Sequence, residues 1–404
     1  MRNNDTTRYE ASTRRDYLKY GGAVIGGGLL AGCSGQSDTE SPSTQTSTDD
    51  TPTATETTTP GDDGYSVTMA PAGTVEFDAP PESVFTVLLH HADMTLALGH
   101  SDSLNGMYNP EGFEESYNVL LERLDGVSID WSNLADTWNP DKELLYELDS
   151  DIHLEDPANM TTMGGWTTAD IEEIRTNVAP WFGNSLSRNH TEPPSDWADQ
   201  YEYYTLWKIF EKVAAAFQEQ ARYEALAEIH TDLISTIEAD LPPSSDRPRT
   251  ARFLLRGGIW VYQLNGQGTT KAHTRVFEAK DALADTSSGT QIDMEGLAEA
   301  NPEVILVDGG LSSDWESTRQ QLYDDQVGQS IPAIENDRVY PIGVRYGGPI
   351  MNLFQLEMIA KQLYPDQFGE WPTYEGGSYP GFSESEQLFD HQRVADIIRG
   401  DFDE

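Results

Sequence analysis

The chain has 404 residues, enough for two or three domains, and its plentiful aromatic side chains can form a packed core. It carries 69 Asp and Glu against 25 Lys and Arg, which gives a formal net charge of −44. A surface of this charge repels itself unless salt screens it, so the composition indicates a halophile and excludes nucleic acid as a partner.

The first residues have the pattern of an export signal. Arg14 and Arg15 precede an apolar run that is too short to cross a bilayer as a stable helix. This pattern resembles a twin-arginine signal, and Leu30-Ala31-Gly32-Cys33 resembles a lipobox, in which the Cys becomes lipid-modified. The only Cys of the chain lies at that point, which also excludes an internal disulfide. We therefore expect residues 1–33 to be a twin-arginine lipoprotein signal.

Residues 34–64 contain Ser, Thr, Asp and Pro and few apolar side chains. Such a segment cannot bury enough surface to offset its ordering entropy, so we expect a disordered tether. With a lipid on Cys33, this tether predicts a protein anchored to the cell membrane and facing the outside.

Residues 65–196 alternate strand-like with helical runs and are expected to form a first α/β lobe. After a hairpin at 67–69 and 75–77, the predicted strands are 83–89, 104–108, 151–154 and 177–179, and the predicted helices are 92–98 and 141–148. This alternation indicates a parallel sheet, whose ligands bind beyond the carboxyl ends of the strands. The residues that follow those ends are candidate ligand contacts, and they include His91, Tyr108, Trp181 and Phe182.

Two of these candidates have an alternative interpretation. His90, His91 and Asp93 are metal-ligand residue types, but neighbours in an extended segment point to opposite faces, so only one His can face a cleft. A structural role for both His is the alternative. Trp181 follows Pro180 in a predicted loop and suits a cleft wall, although aromatic side chains more often belong to the core.

The longest helical segment lies between Trp197 and Leu241, with a pair of prolines before it and another after it. Its second half has an apolar stripe at steps of three and four residues, which consists of Leu226, Ile229, Leu233 and Ile237. We predict two helices that break near residues 216–218, the second running to about Ala239 with a length of roughly 33 Å. Residues 197–246 are thus expected to join two lobes.

Residues 247–368 are expected to form a second α/β lobe, and residues 369–404 a tail that packs on one lobe. The predicted strands are 251–255, 259–264, 289–293, 304–307 and 338–342, with a closing helix at 352–363. Strand-end positions select Arg256, Trp260, Arg345 and Tyr346 as ligand contacts. Arginines are scarce in this acidic chain, so these two are candidates for an anionic ligand group, with salt bridges to nearby acids as the alternative.

The two predicted lobes repeat one local pattern. Glu143 precedes Asp151 by eight positions, and Glu295 precedes Glu303 by eight. In both places a short amphipathic helix runs into a strand, which favours two related lobes.

The residues from about Val75 to Phe368 resemble the solute-binding lipoproteins of ABC importers for iron-siderophores and cobalamin. The similar segments are residues 83–104, Glu143 with 151–152, Glu295 with 301–305, and 331–333 with 338–340. Together with the acidic charge, the resemblance indicates a haloarchaeal protein. It implies two Rossmann-like α/β lobes joined by a long backbone helix. It also implies a monomer that binds its ligand between the lobes and works with a permease and its ATPase. By the same resemblance, Glu143 and Glu295 dock on permease arginines.

The leading interpretation is a binding protein without catalysis, resident metal or cofactor, which captures a ferric siderophore or a corrinoid-like chelate. The His90-His91 pair departs from the common pattern of the family and leaves the ligand open. A second interpretation is capture of free Zn, Mn or Fe by His, Asp and Glu, although the chain has no His-rich loop. A third is an extracellular enzyme, but the usual hydrolase and nucleotide motifs are missing.

Overall fold

A computed structural model of the chain describes residues 64–312 and 314–402. The predictions for Arg14, Arg15 and Cys33, and for nearly all of the tether, lie outside these residues. Within the described ranges, no helix combines the length and the apolar character that a membrane span requires.

The first lobe contains a hairpin and a four-stranded parallel sheet, as the alternation predicts. The hairpin strands are β1 (Tyr65–Met69) and β2 (Gly73–Phe77). The sheet strands are β3 (Val84–Thr86), β4 (Leu104–Met107), β5 (Ala135–Asp136) and β6 (Ile152–Leu154), in the order β5-β4-β3-β6. The helices are α1 (Leu89–Ala97), α2 (Pro110–Leu121), α3 (Lys142–Leu148), α4 (Pro157–Met160) and α5 (Thr168–Asn177).

Two predicted strands of this lobe are corrected. The strand predicted at 83–89 ends at Thr86, and α1 begins only three residues later. The strand predicted at 177–179 is absent, because α5 continues to Asn177. In its place Trp181 forms a single parallel bridge with His153 of β6.

The helical segment forms two helices, α6 (Leu206–Phe217) and α7 (Gln220–Asp240), as predicted. They break at Gln218, whose backbone adopts the left-handed conformation with φ of 56°. At 1.5 Å per residue, α7 is about 31 Å long. Its fully buried residues are those of the predicted stripe, Leu226, Ile229, Leu233 and Ile237.

The second lobe has a mixed six-stranded sheet. Its strands are β7 (Arg249–Leu255), β8 (Ile259–Val261), β9 (Lys280–Asp281), β10 (Gln291–Ile292), β11 (Val304–Val307) and β12 (Val339–Pro341). They run in the order β10-β8-β7-β11-β12, with β9 beside β7. Strands β7, β11 and β12 are parallel, whereas β8 pairs antiparallel with β7 and β10 pairs antiparallel with β8. The helices of this lobe and the tail are α8 (Met294–Ala300), α9 (Trp315–Tyr323), α10 (Pro332–Glu335), α11 (Pro349–Leu363), α12 (Pro365–Phe368) and α13 (His391–Arg399).

The structure confirms the repeated helix-to-strand unit, because the helices of the two units, α3 and α8, begin and end in the same way. Asp141 caps α3 by accepting the amide of the third helical residue, and Asp293 caps α8 in the same way, each over 2.9 Å. Both helices end on a left-handed residue, Asp149 in the first lobe and Asn301 in the second. Each unit then enters a strand that pairs in parallel with the first sheet strand of its lobe.

Helices α7 and α11 join the two lobes into one continuous apolar core. Helix α7 packs against α6 of the linking segment and against α11 and the 275–277 turn of the second lobe. Helix α11 is buried along its whole length and also packs on α1 and α2 of the first lobe. The main core therefore contains side chains from both sheets.

The tail packs on both lobes, so the prediction that it packs on one lobe is wrong. The backbone amide of Tyr379 donates to the carbonyl oxygen of Val119 in α2, over 3.0 Å. The hydroxyl of Tyr379 donates to Glu357 in α11, over 2.8 Å. Helix α13 then lies against α7. The tail thus ties the second lobe back to the first.

Candidate ligand-binding site between the lobes

Two arginines, one from each lobe, approach the same tyrosine ring. Arg188 ends a short 3-10 turn of the first lobe, and Arg345 follows β12 of the second. Their Cζ atoms lie 5.8 Å and 4.7 Å from the ring centroid of Tyr346. Arg345 also lies 3.7 Å from the ring centroid of Tyr262. These four side chains, which we name the arginine–tyrosine cluster, are all half-buried.

The arginines of this cluster are not committed to acidic side chains. Within residues 64–312 and 314–402, neither Arg188 nor Arg345 forms an ion pair with a carboxylate. Arg252 shows the opposite arrangement, because it is buried and paired with Asp308 over 2.9 Å. In a chain with this excess of acid, two neighbouring guanidinium groups without an ion-pair partner have the chemistry to bind an external anion.

His90 and His91 lie beside Arg188, with their ring centroids 4.0 Å apart. Both are in the first turn of α1 and not in an extended segment, so the expectation that they point to opposite faces is wrong. Both ring nitrogens of His91 are buried without a hydrogen-bond partner. Burial, and secondarily the charge of Arg188, lowers the pKa of His91 to about 3. The imidazole is therefore neutral at physiological pH.

Glu155, directly after β6, adds a second under-satisfied group near Arg188. Its Oε1 accepts a hydrogen bond from Asn159 Nδ2 over 2.9 Å, whereas its Oε2 is buried without a partner. Burial raises the pKa of Glu155 to about 7, and the charge of Arg188 opposes that rise. Arg188 itself donates to Asn159 Oδ1 over 3.3 Å. Buried polar atoms without partners are rare in folded proteins, and their grouping here indicates a place for a polar ligand.

The two lobes make direct contact beside this cluster. Thr270 Oγ1 of the second lobe donates to the carbonyl oxygen of Arg188 over 2.8 Å. Gly268 has φ of 104°, and a Cβ atom there would lie 2.5 Å from the same oxygen. Only glycine allows this close approach, which fixes the backbone that carries Arg188.

Tyr108 lies at the same edge of the first-lobe sheet, as predicted from its position after β4. Its amide donates to the carbonyl oxygen of Val87, just beyond β3, over 2.9 Å. Its ring packs against Phe113 and Trp138.

Four other predicted contacts are placed outside the arginine–tyrosine cluster. Trp181 is in the first-lobe core, where its indole N–H donates to the carbonyl oxygen of Ile171 over 3.1 Å. Phe182 is fully buried and packs edge-on against Phe77. For Trp181 the core alternative therefore replaces the cleft wall, and Phe182, predicted as a ligand contact, is also a core side chain. Arg256 and Trp260 lie at the β7–β8 turn, where the indole N–H of Trp260 donates to the carbonyl oxygen of Arg256.

Glu143 and Glu295 are exposed in the first turns of α3 and α8. They occupy equivalent positions in the repeated unit, each two residues after its capping aspartate. Their proposed contact with a permease stays a prediction.

The arrangement contains no obvious cage for a free metal ion. Among the residues that the structure describes, no group of three or more His, Cys, Asp or Glu could hold one. His91 and Glu155 both lie near Arg188, and that positive charge opposes a bare cation.

Sequence reasoning missed Arg188, Asn159 and Tyr262. No strand directly precedes Arg188, so the strand-end rule did not select it. The scarcity of arginines, which favoured Arg345, applies equally to Arg188 and was the available signal. Tyr262 lies just past β8, inside a predicted strand that is longer than the observed one.

Comparison with known proteins identifies the fold. Residues 166–346, a little under half of the chain, match the family described as periplasmic binding protein. No curated protein matches the sequence.

Solved structures match over most of the described chain. A periplasmic solute binding protein from Veillonella parvula DSM 2008 has 15% identity and a TM-score of 0.53, covering 80% of this chain and 96% of that one. An iron uptake ABC transporter substrate-binding protein from Streptococcus pneumoniae Canada MDR_19A has 18% identity and a TM-score of 0.52, covering 74% and 98%. A molybdate periplasmic binding protein from Haemophilus influenzae has 18% identity and a TM-score of 0.52, covering 72% and 89%. The chain thus has the two-lobed α/β fold of the periplasmic binding proteins.

Proposed function

We propose that this protein is the solute-binding component of an ABC importer and that it captures an anionic metal chelate between its lobes. The observation that carries the proposal is the approach of Arg188 and Arg345, from opposite lobes, to the single ring of Tyr346. A ligand held by both guanidinium groups contacts both lobes at once, which is the requirement for capture in an interlobe cleft.

The chemistry of the site favours a chelate with anionic oxygen donors. Guanidinium groups donate hydrogen bonds in a fixed planar fork that matches carboxylate-like oxygens. The rings of Tyr262 and Tyr346 contact these groups through cation–π interactions. Neutral His91 adds a ring N–H that can donate to a further oxygen. A ferric siderophore supplies such oxygens, and a corrinoid is the other class to be tested.

Two of the similar solved structures support this ligand class but do not identify the ligand of this chain. One is described as an iron uptake substrate-binding protein and another as bound to molybdate, itself an oxyanion. Both identities are low, so the argument rests on the arginines of this chain.

We further infer that the protein works at the outer face of the membrane of a halophile. The support is the sequence: a twin-arginine pattern at Arg14 and Arg15, Cys33 in a lipobox-like segment, and the net charge of −44. The delivery partner is a permease with its ATPase, and Glu143 and Glu295 are its docking residues. Retention of radiolabelled lipid by the wild-type chain, and its loss in Cys33→Ser, would test the anchor.

Calorimetric titration of the purified protein in concentrated KCl tests the ligand. The ligands are a ferric siderophore, ferric citrate, a corrinoid, and the chlorides of zinc and manganese. We expect saturable binding of a ferric chelate and none of the bare ions. Binding of bare zinc or manganese alone would favour free metal capture, and turnover of any ligand would favour an enzyme.

A further inference from the structure

An exposed tryptophan stands at the same edge of the first-lobe sheet as Glu155, the neighbour of Arg188. The side chain of Trp138 is 57% exposed, the most of any Trp in the chain, although burial of its large ring would be favourable. Its ring centroid lies 4.5 Å from that of Tyr108, with 34° between the planes. Phe113 also packs against Tyr108, with the ring centroids 5.6 Å apart. We name Trp138, Tyr108 and Phe113 the aromatic wall.

The backbone under the aromatic wall is fixed by hydrogen bonds to residues at the ends of two strands, β5 and β3. Asp136 Oδ1, at the end of β5, accepts from the amides of Asn109 and Trp138 over 2.9 and 3.0 Å. Thr137 Oγ1 donates to the carbonyl oxygen of Thr86, at the end of β3, over 2.8 Å. The exposed ring therefore projects from a rigid loop, which lowers the entropy cost of holding a ligand against it.

A line of contacts connects the aromatic wall to the arginine–tyrosine cluster. Phe113 and Tyr117 lie one turn apart on α2, and so on one face of that helix. The hydroxyl of Tyr117 donates to Asp93, whose carboxylate in turn accepts from the amide of Gly348. Gly348 follows Tyr346 by two residues.

The spacing of the strands gives the distance that a ligand must span. The aromatic wall follows β4 and β5, whereas Glu155 and the neighbouring Arg188 lie beyond β6, two to three strands away. Strands lie about 4.8 Å apart, so the separation is about 10–14 Å. One chelate-sized ligand in a pocket of ordinary size can reach both places.

We propose that Trp138 determines ligand specificity by stacking on a flat aryl arm of the chelate while Arg188 and Arg345 bind its anionic oxygens. The ligand class is then a metal chelate whose oxygen donors are carried on aromatic rings. This inference rests on the proposed function, because it assumes that a chelate occupies the cleft. The alternative use of an exposed Trp at this edge, contact with a permease, is an outcome of the test below.

Two ferric complexes of equal charge separate stacking from charge recognition. Tris(catecholato)ferrate(III) and tris(oxalato)ferrate(III) both present six oxygen donors with the same negative charge, but only the first has aromatic rings. Calorimetric titration of wild type, Trp138→Ala and Trp138→Phe measures the affinity for each complex. We expect Trp138→Ala to weaken the catecholate complex about tenfold and to leave the oxalate complex unchanged, with partial recovery in Trp138→Phe.

Tyr146→Ala is the matched control, because Tyr146 is also exposed (45%) but lies on α3 and donates its hydroxyl to Glu173 of α5. This variant should bind both complexes like wild type. An equal loss of both complexes in Trp138→Ala would overturn the stacking role. Unchanged affinity for both would overturn it too, and a loss of uptake in that variant would assign Trp138 to the permease contact. If wild type binds neither complex, the proposed function itself fails, and this inference with it.

Discussion

Asp93 of the first lobe accepts a hydrogen bond from the backbone amide of Ile350 in the second, over 2.9 Å. The same carboxylate accepts from the amides of Gly348 and Met351, both over 3.0 Å, and so caps the amino terminus of α11. The segment that it fixes directly follows Tyr346. A single buried acid thus joins the lobes and positions part of the arginine–tyrosine cluster.

The buried position of Asp93 predicts a specific pH dependence of stability. Burial raises its pKa from 3.8 to about 6, although hydrogen bonds from Tyr117 and the α11 amides oppose the rise. The folded state therefore binds this proton more tightly than the unfolded state does. The contribution of Asp93 to the free energy of unfolding should therefore fall by roughly 1–3 kcal/mol in total as the pH rises from 3.8 to about 6. Above that pH it should stay level.

Urea denaturation of wild type and Asp93→Asn across this pH range measures the effect. The free energy of unfolding of the variant, relative to wild type, should rise with pH and then become constant. Parallel curves for the two proteins would show that the titration of Asp93 does not affect stability. Asp93→Ala is the structural control, since it removes every acceptor. It should cost about 2–4 kcal/mol above about pH 6, where the contribution of Asp93 in wild type is level, and more at lower pH.

Two charge reversals in the repeated unit should block delivery of the ligand to the permease without affecting ligand binding. Glu143→Arg with Glu295→Arg should abolish uptake in cells, because both side chains would then repel the arginines of a permease. Ligand affinity should not change, since both residues are exposed on helices outside the cluster.

Glu147→Arg with Glu299→Arg is the matched control for charge. These two acids are exposed on the same helices and are also equivalent in the repeat, but they lie at the opposite helix ends. This control pair should leave uptake near the wild-type rate. Equal loss of uptake in both pairs would mean that general charge is responsible, and a loss of ligand affinity would place the first pair in the cleft.

The tail predicts a stability effect at a position far from the ligand. Tyr379→Phe removes the hydroxyl that donates to Glu357, a fully buried carboxylate that also contacts His391 Nε2 over 3.0 Å. The variant should lose about 1–3 kcal/mol of unfolding free energy, because a buried acceptor loses a partner. Tyr203→Phe removes an exposed hydroxyl that donates to a backbone carbonyl and should cost less than about 0.5 kcal/mol. Equal effects in the two variants would contradict the role given to the tail.

Elements of the fold could be predicted from the sequence where a local pattern follows directly from the geometry of a helix or strand. The apolar stripe from Leu226 to Ile237 follows helical spacing, and the structure buries those positions. The repeated unit was recognisable from Glu143 and Glu295, since a capped helix that leads into a strand leaves a short local pattern.

The site was less predictable, because it depends on contacts between residues that are distant in the chain. Arg188 and Tyr346 are 158 positions apart by their numbers and come together only through the packing of the two lobes. Trp181 was misplaced because a single bridge to His153 extends the sheet beside it, and local sequence does not report such a bridge. The strand-end rule also cannot separate an exposed ring, such as that of Trp138, from a buried one.

Titration of the two arginine variants with one ferric chelate tests the central claim most directly. The proteins are wild type, Arg188→Ala, Arg345→Ala and the control Arg175→Ala, whose arginine is exposed and paired with Glu172 on the same helix. We expect each cluster variant to bind tris(oxalato)ferrate(III) with about 1–3 kcal/mol less free energy, a loss of roughly 5-fold to 150-fold, and the control to match wild type. Wild-type affinity in both Arg188→Ala and Arg345→Ala would contradict the proposed binding site.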